Sequence, residues 1–280
     1  MRDFAYARPT APEEAMRLAA PPHARYIAGG TDLLNLMKDG VQEHDLLVDV
    51  NALPLTGVEA EDGRVRIGAL ARMSDVAVDP AVTRIPVLSQ SLLAGASPQI
   101  RNMASIGGNL LQRTRCWYFR DATMPCNKRV PGSGCPATEG LNRWHAVLGG
   151  SDHCIAVHPS DLAVALTALE ATVNTIHADG PRTIPVSELY LPPGDTPDRE
   201  TALRPGELIT SVDVPVTDLV TGSQYLKLRD RASFEFAVVS VAAMVRLAGG
   251  VVREARLAFG GIGTRPWGRS RPNRNSSAGR

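Results

Sequence analysis

All four cysteines of the chain lie within residues 116–154, directly after a glycine-rich turn at residues 105–109. They are separated by nine, eight and eighteen residues, and the absence of a Cys-x-x-Cys pair disfavours an ordinary zinc ribbon. Four thiolates can still hold an iron–sulfur cluster or an all-cysteine zinc ion. The spacing alone leaves these alternatives about equal, with disulfides or unrelated buried thiols next. The four residues are Cys116, Cys126, Cys135 and Cys154.

Three histidines, His145, His153 and His158, lie in this stretch or just after it and are candidates for supporting or alternative ligands. An isolated histidine in a loop is more often solvated, so we assign them no ligand role. The stretch is also rich in arginine and lysine. Such charge suits an anionic cluster or cofactor, although it is equally ordinary for a solvated loop.

Length and composition exclude several classes of protein. With 280 residues and a 44% hydrophobic fraction, the chain can bury a sizeable core and form two domains. A net charge of +1 with scattered basic residues, together with few aromatic residues, predicts no nucleic-acid partner. No apolar run is long enough to span a bilayer, and residues 1–5 lack a signal-peptide pattern. We therefore expect no membrane insertion and, by default, a cytoplasmic location.

The first fifty residues alternate between strand and helix patterns. Strands are predicted at residues 4–6, 24–28 and 46–50, with helices over residues 10–20 and 33–40 between them. This βαβαβ-like order places Gly29-Gly30-Thr31 at a strand-to-helix junction. Bare amides and a helix N-terminus at such a junction can face a phosphate group.

The rest of the chain predicts mainly antiparallel strands with a few helices. Asp179-Gly180 indicates a hairpin, and Ser160 is placed to cap a helix whose apolar face spans residues 162–169. Further strands are predicted at residues 64–70, 207–216 and 224–229, and a long hairpin at residues 238–259. The pattern as a whole predicts an α+β fold.

Two glycine turns share one design, a glycine pair beside a hydroxyl group: Gly29-Gly30-Thr31, and Gly107-Gly108 following Ser105. Glycine lets the backbone approach a ligand closely, and the hydroxyl adds a donor. Either turn alone is more often a plain tight turn. Neither matches the dinucleotide fingerprint or a Walker loop, which disfavours a conventional Rossmann site.

Taken together, several motifs resemble the FAD-binding medium subunit of the xanthine dehydrogenase and aldehyde oxidoreductase family of molybdenum hydroxylases. The resemblance extends to about residue 266 and is greatest to bacterial periplasmic aldehyde oxidoreductases, whose medium subunit carries a 4Fe–4S cluster in a similarly placed insert. The matching runs are Ala28-Gly29-Gly30-Thr31-Asp32-Leu33-Leu34, Ala104-Ser105-Ile106-Gly107-Gly108-Asn109, Pro159-Ser160-Asp161-Leu162, Glu207-Leu208-Ile209 and Tyr225-Leu226-Lys227.

The resemblance implies a two-subdomain FAD-binding domain of the PCMH-like rather than the Rossmann type, followed by an antiparallel-sheet domain. We place the N-terminal subdomain at residues 1–54 and the second subdomain at residues 55–187, with the cysteine-rich insert at residues 113–157. A C-terminal domain like that of CO dehydrogenase flavoproteins follows at residues 188–266. This domain is expected to be truncated, leaving one face of its sheet exposed, and residues 267–280 are expected to be a disordered tail.

The resemblance also implies site residues. The first turn and its flanks would wrap the FAD pyrophosphate together with the second turn, while Asp161 would bond ribityl or ribose hydroxyls. Leu208 or Ile209 would pack by the flavin ring, and Lys227 would lie near its polar edge. All four cysteines would ligate a 4Fe–4S cluster. The implied FAD contacts are Tyr26, Ile27, Ala28, Gly29, Gly30, Thr31, Asp32, Leu33, Leu34, Ser105, Gly108, Asn109, Asp161, Ile209 and Lys227.

The function implied is electron transfer through FAD and the cluster in a molybdenum-dependent aldehyde oxidoreductase, with no catalytic residue in this chain. The partners would be a large molybdenum-cofactor chain and a small 2Fe–2S chain in a heterotrimer. A periplasmic location would follow if a partner carries a twin-arginine signal. The alternatives are a stand-alone flavin oxidase of the same fold and a zinc-stabilised, non-enzymatic binding module.

Overall fold

A computed structural model of the chain describes residues 1–61 and 63–271. Its N-terminal unit is a parallel sheet of three strands, β1 (Ala5–Ala7), β2 (Ala24–Ile27) and β3 (Leu46–Asp49), in the order β1-β3-β2. Helices α1 (Pro12–Ala19) and α2 (Leu33–Lys38) connect the strands. The predicted strand and helix order of this unit is therefore confirmed, and the first glycine turn lies between β2 and α2 as expected.

The second unit is built on an antiparallel sheet of five strands: β4 (Val58–Glu61), β5 (Arg64–Gly68), β6 (Thr172–His177), β7 (Gly180–Pro185) and β8 (Leu208–Pro215). Their order in the sheet is β4-β5-β8-β6-β7. Because β8 pairs with both β5 and β6, it belongs to this sheet. The predicted domain boundary at residue 188 therefore does not coincide with the sheets.

Short helices cover this sheet and enclose the largest core of the protein. Val65 and Ile67 of the sheet, together with Leu88, Leu92 and Leu166 of the helices, are all buried in it. The helices are α3 (Met73–Val78), α4 (Pro80–Thr83), α5 (Pro86–Ala94), α6 (Pro98–Met103), α7 (Ile106–Leu110), α8 (Trp117–Arg120), α9 (Asp161–Ala168) and α10 (Val186–Leu189).

The third unit is an antiparallel sheet of four strands, β9 (Ser223–Leu228), β10 (Val239–Ala248), β11 (Val251–Gly260) and β12 (Trp267–Arg271). Alternate residues of β10 are buried, including Ala242 and Met244, and this face packs on α5 and α9. Leu226 and Leu228, on the other face, are exposed. The third unit therefore buries one face against the second.

The expectation of a disordered tail from residue 267 is wrong for its first five residues, because these form β12 and pair with β11. Gly268 permits this pairing: a Cβ there would lie 2.7 Å from the Thr167 methyl group on α9, so a larger residue would hold the strand away. Residues 272–280 lie outside the described residues.

Candidate functional site

A cleft of about 1170 Å³ is lined by residues from all three units. Of the fifteen residues implied as FAD contacts, Leu34 alone is not part of the cleft wall. Its side chain packs instead under the first turn, where a Cβ on Gly30 would lie 2.9 Å from it. The implied residues that line the cleft are Tyr26, Ile27, Ala28, Gly29, Gly30, Thr31, Asp32, Leu33, Ser105, Gly108, Asn109, Asp161, Ile209 and Lys227.

The first glycine turn lies directly against the chain that leads into the second. A Cβ on Gly29 would lie 1.9 Å from the carbonyl oxygen of Met103, so only glycine fits. Gly30 has φ +68°, in the left-handed region that glycine enters without strain. The two turns therefore form a single floor of backbone.

The second turn is held by side-chain hydrogen bonds at the start of α7. Ser105 Oγ accepts a hydrogen bond from the amide of Gly108, at 3.2 Å. Asn109 Oδ1 accepts one from Ser160 Oγ at 2.7 Å, and Ser160 Oγ in turn accepts from the amide of Ala163 at 3.0 Å. These bonds fix the second turn to the N-terminus of α9, as the predicted Ser160 cap allows.

The carboxylate of Asp161 is buried between two residues of β9. Lys227 Nζ donates to one oxygen at 2.8 Å, and the Tyr225 hydroxyl donates to the other at 2.6 Å. Burial and the Asp161 carboxylate raise the pKa of Tyr225 well above its usual value. Sequence reasoning did not assign Tyr225 to the site, although its position two residues before Lys227 puts both side chains on one face of the strand.

The insert is attached to the first turn through Asp32. The Asp32 carboxylate accepts hydrogen bonds from the amide of Arg113 at 2.8 Å and from the Arg120 guanidinium at 2.8 Å, and it forms an ion pair with Arg115 at 2.8 Å. Its predicted role was contact with FAD. In the structure, its hydrogen bonds run to the insert.

A second ionic cluster joins the insert to the loop between α10 and β8. Glu200 pairs with Arg113, and with Lys128 at 2.9 Å. Although burial would raise the pKa of the Glu200 carboxyl, the two cations hold it below its usual value. None of these three residues was assigned to the site from the sequence, because the contacts join loops far apart in the chain.

The four cysteines line one small cavity, and all four are free thiols. Burial raises the pKa of Cys116 to about 11, against the effect of the backbone amides of Phe119 and Tyr118. Burial likewise raises the pKa of Cys154, against Lys128 and the amide of Ala156. No group of three or more His, Cys, Asp or Glu side chains that could hold a metal ion is found within residues 1–61 and 63–271.

The histidines of this region differ from one another. His145 is 7% exposed and its Nε2 lies 3.2 Å from the Sγ of Cys116, so its expected solvation was wrong. Burial lowers the pKa of His145. His158 packs edge-on against Tyr190 at 4.2 Å between ring centres, and burial lowers its pKa to about 4. Only His153 has an exposed side chain, as expected.

The cysteine cavity and the large cleft share part of their walls. Lys128, Cys154 and Ala156 line both. The segment that ends the insert therefore separates the two cavities, and Cys154 faces both of them.

In the described part of the chain, no helix has the length and apolar character needed to cross a membrane.

Comparison with known proteins gives the same assignment along nearly the whole chain. Residues 2–217 match the FAD binding domain in molybdopterin dehydrogenase, and residues 224–271 match the CO dehydrogenase flavoprotein C-terminal domain. The chain is 52% identical over 271 residues to the aldehyde oxidoreductase FAD-binding subunit PaoB of Escherichia coli, across 95% of this chain and 84% of that protein. It is 28% identical over 268 residues to the glyceraldehyde dehydrogenase medium chain of Sulfolobus acidocaldarius, across 95% and 78%.

Solved structures agree on the fold. Carbon monoxide dehydrogenase from Hydrogenophaga pseudoflava matches with a TM-score of 0.71 at 24% identity, covering 95% of this chain and 77% of that chain. Quinoline 2-oxidoreductase from Pseudomonas putida gives a TM-score of 0.70 at 24% identity, covering 95% and 76%. The predicted α+β fold is confirmed. With a family match over residues 2–217 and a relative 52% identical along most of both chains, this chain belongs to the family of FAD-binding subunits of molybdenum hydroxylases of the aldehyde oxidoreductase and xanthine dehydrogenase type.

Proposed function

We propose that this chain carries FAD and a 4Fe–4S cluster and transfers electrons within a molybdenum-dependent aldehyde oxidoreductase. The observation that carries the proposal is the convergence of two glycine turns on a cleft of about 1170 Å³ that shares a wall with a four-cysteine cavity. A cleft of this size can enclose a large ligand such as a dinucleotide.

The cleft fits FAD through its backbone. A side chain at Gly29 would meet the Met103 carbonyl at 1.9 Å, so the first turn keeps a bare backbone. Amides of the first turn would donate to phosphate oxygens without needing a basic residue at each phosphate. In the second turn, the amides of Gly107 and Gly108 already donate to the Ala69 carbonyl and to Ser105 Oγ, so this turn would shape the wall beside the cofactor. When bound, FAD supplies the electron-transfer chemistry, and the protein supplies orientation and charge.

Lys227 is suited to the polar edge of the flavin. An ammonium group has three N–H donors. Two of those of Lys227 are used, by Asp161 at 2.8 Å and by the carbonyl of Ala94 at 3.2 Å. The third remains for a ligand in the cleft, where the cation would stabilise negative charge on a reduced ring. Ile209, in the same wall, would pack against the ring.

The cysteine cavity offers the donor set of an iron–sulfur cluster, although the four thiols are not grouped as the ligands of a single metal ion would be. Cys116, Cys126, Cys135 and Cys154 face one space, and none is consumed in a disulfide. Four thiolates are the ordinary ligands of a 4Fe–4S cluster. Hydrogen-bond donors lie at the sulfurs, including the amide of Ala156, 3.5 Å from the Sγ of Cys154. Nearby Lys128 would offset the negative charge of four thiolates.

The shared wall supports electron exchange between the two cofactors. Cys154 would ligate the cluster on one side and belongs to the cleft wall on the other. Lys128 and Ala156 complete the partition, so no second layer of residues separates the cavities at this point. A cluster that only stabilised the fold would not need to share a wall with the cleft.

The partners and the substrate class come from the relatives. The Escherichia coli relative is named as the FAD-binding subunit of an aldehyde oxidoreductase, and the Sulfolobus relative as the medium chain of glyceraldehyde dehydrogenase. We infer that this chain assembles with a large molybdenum-cofactor chain and a small 2Fe–2S chain, and that aldehyde oxidation takes place in the large chain.

The test is an anaerobic purification of the complex, followed by an absorbance spectrum and by analysis of iron, acid-labile sulfide and zinc. We expect flavin bands together with a broad iron–sulfur absorption. The Cys126→Ser variant should lose the iron and sulfide that belong to the 4Fe–4S cluster while keeping some FAD. Leu141→Ala, at an 81% exposed position of the same insert, should keep both cofactors.

Other outcomes separate the alternatives. Zinc without flavin would make the chain a zinc-stabilised binding module, and turnover by the isolated chain would make it a stand-alone flavin oxidase. A spectrum without flavin and without iron–sulfur absorption would refute the proposal as a whole. If Cys126→Ser keeps the full iron content, the ligand assignment is wrong.

A further inference from the structure

We propose that His145 donates a hydrogen bond from Nε2 to the Sγ of Cys116 and thereby raises the reduction potential of the 4Fe–4S cluster. The inference rests on the proposed function, since it concerns the cluster that the four cysteines would hold. It adds a positioning residue that acts on the cluster through one of its ligands.

The geometry identifies the sulfur as the ring's hydrogen-bonding partner. His145 Nε2 lies 3.2 Å from the Sγ of Cys116, within the range of a hydrogen bond to sulfur. The other ring nitrogen, Nδ1, is buried and makes no hydrogen bond of good geometry among the described residues, although the backbone of Asn142 lies near the ring. The ring is 7% exposed, so its position is fixed by packing and by this contact. The Cys116 sulfur is therefore the side-chain partner of this buried imidazole.

The chemistry of a ligand thiolate sets the direction of the bond. As a free thiol, Cys116 could donate to Nε2 or accept from it. A cysteine that ligates iron has lost its proton and can only accept, so once Cys116 holds the cluster the same contact would place the N–H of His145 on Nε2. Hydrogen bonds to the sulfurs are one of the means by which proteins set the potential of iron–sulfur clusters. A donor stabilises the more negatively charged reduced state, and the potential therefore rises.

The hydrogen-bond donors near Cys116 and Cys154 differ in number. Cys116 also has the amides of Tyr118 and Phe119 near its sulfur. Cys154 has one amide, that of Ala156, at 3.5 Å. Within the described residues, Cys116 is the cysteine whose sulfur a histidine side chain approaches. Of these two cysteines, Cys116 therefore has more hydrogen-bond donors near its sulfur.

The first experiment measures midpoint potentials in the purified complex by redox titration monitored with EPR, for wild type, His145→Phe and His145→Gln. His145→Phe keeps a flat ring but removes the donor, so the potential of the 4Fe–4S cluster should fall while that of FAD stays unchanged. His145→Gln retains an N–H group and should recover part of the shift. His23→Phe is the control, since His23 is exposed and lines neither the cleft nor the cysteine cavity, and it should leave the potential unchanged.

A second measurement needs no variant. Pulsed EPR of the reduced wild-type cluster, with ¹⁵N-labelled histidine, should show weak coupling to one imidazole nitrogen. This readout decides the matter if His145→Phe fails to assemble a cluster. Unchanged potential in His145→Phe, or absence of the ¹⁵N coupling, would overturn the inference. A wild-type complex without a 4Fe–4S signal would instead overturn the proposed function.

Discussion

Replacing Gly29 with alanine should separate the two turns that form the floor of the cleft. The added Cβ would lie 1.9 Å from the carbonyl oxygen of Met103 and 2.6 Å from its carbonyl carbon. Both are backbone atoms and cannot rotate away. Since Cβ atoms essentially never come closer than 3.0 Å to such atoms, the separation must grow by 1.1 Å, from 1.9 to 3.0 Å.

This displacement sets the size of the effect. Forcing an extra methyl group into a packed site costs about 1–3 kcal/mol. For a protein of this size, that corresponds to a fall in Tm of roughly 2–12 °C. A shift of this size also exceeds the tolerance of an amide–phosphate hydrogen bond. Losing one such bond to a charged group costs about 1.5–3 kcal/mol, which weakens FAD binding at least about tenfold.

The assay compares the ratio of FAD to protein after gel filtration, the Kd for added FAD and the Tm of Gly29→Ala with those of wild type. Gly57→Ala is the matched control, because its Cβ would make one ordinary contact, 3.6 Å from a flexible Glu59 oxygen. The control should behave like wild type. If Gly29→Ala binds FAD with unchanged affinity and melts at the wild-type temperature, the steric reasoning is wrong.

Two further substitutions test buried charges. Asp161→Ala leaves the Lys227 side chain, 3% exposed, without its anion and should lower the free energy of unfolding in urea by about 3–5 kcal/mol. Asp195→Ala, at a 97% exposed side chain, should lower it little. Equal losses in the two variants would contradict this. Arg182 holds the pKa of Glu207 below its usual 4.5, against the effect of burial. The ionised Glu207 therefore stabilises the fold above pH 4.5, and this stability is lost as the pH falls through the lowered pKa. Urea midpoints from pH 5.5 to 3 should fall less steeply in Glu207→Gln, and an unchanged slope would refute the assignment.

Local chemistry made much of the fold predictable. The N-terminal strands and helices follow from hydrophobic periodicity, and the hairpin at Asp179-Gly180 follows from its turn residues. The glycine turns were found because close backbone approach requires glycine, which is visible in the sequence at Gly29 and Gly108. The cap on α9 was found because Ser160 precedes an apolar run.

The rest depended on contacts between distant parts of the chain. The sheet to which β8 belongs is set by pairing with β5 and β6, and a strand pattern does not encode its partner. The residues of β12 have low strand propensity in sequence, and their order comes from pairing with β11. Glu200 lies in a loop, and its role appears only where Arg113 and Lys128 reach it.

The ion pairs show that the cysteine insert is part of the cleft. Asp32, in the turn before α2, is held by Arg120 of the insert, and Glu200, in the far wall, is held by Lys128. These side chains are largely buried, and removing one partner of such a pair costs more than breaking an exposed one. Disorder in the insert would therefore loosen both walls, whereas a folded insert holds them in place. Since Cys154 lies in the same segment that lines the cleft, a cluster that fixes the insert would also stabilise the FAD-binding form of the protein.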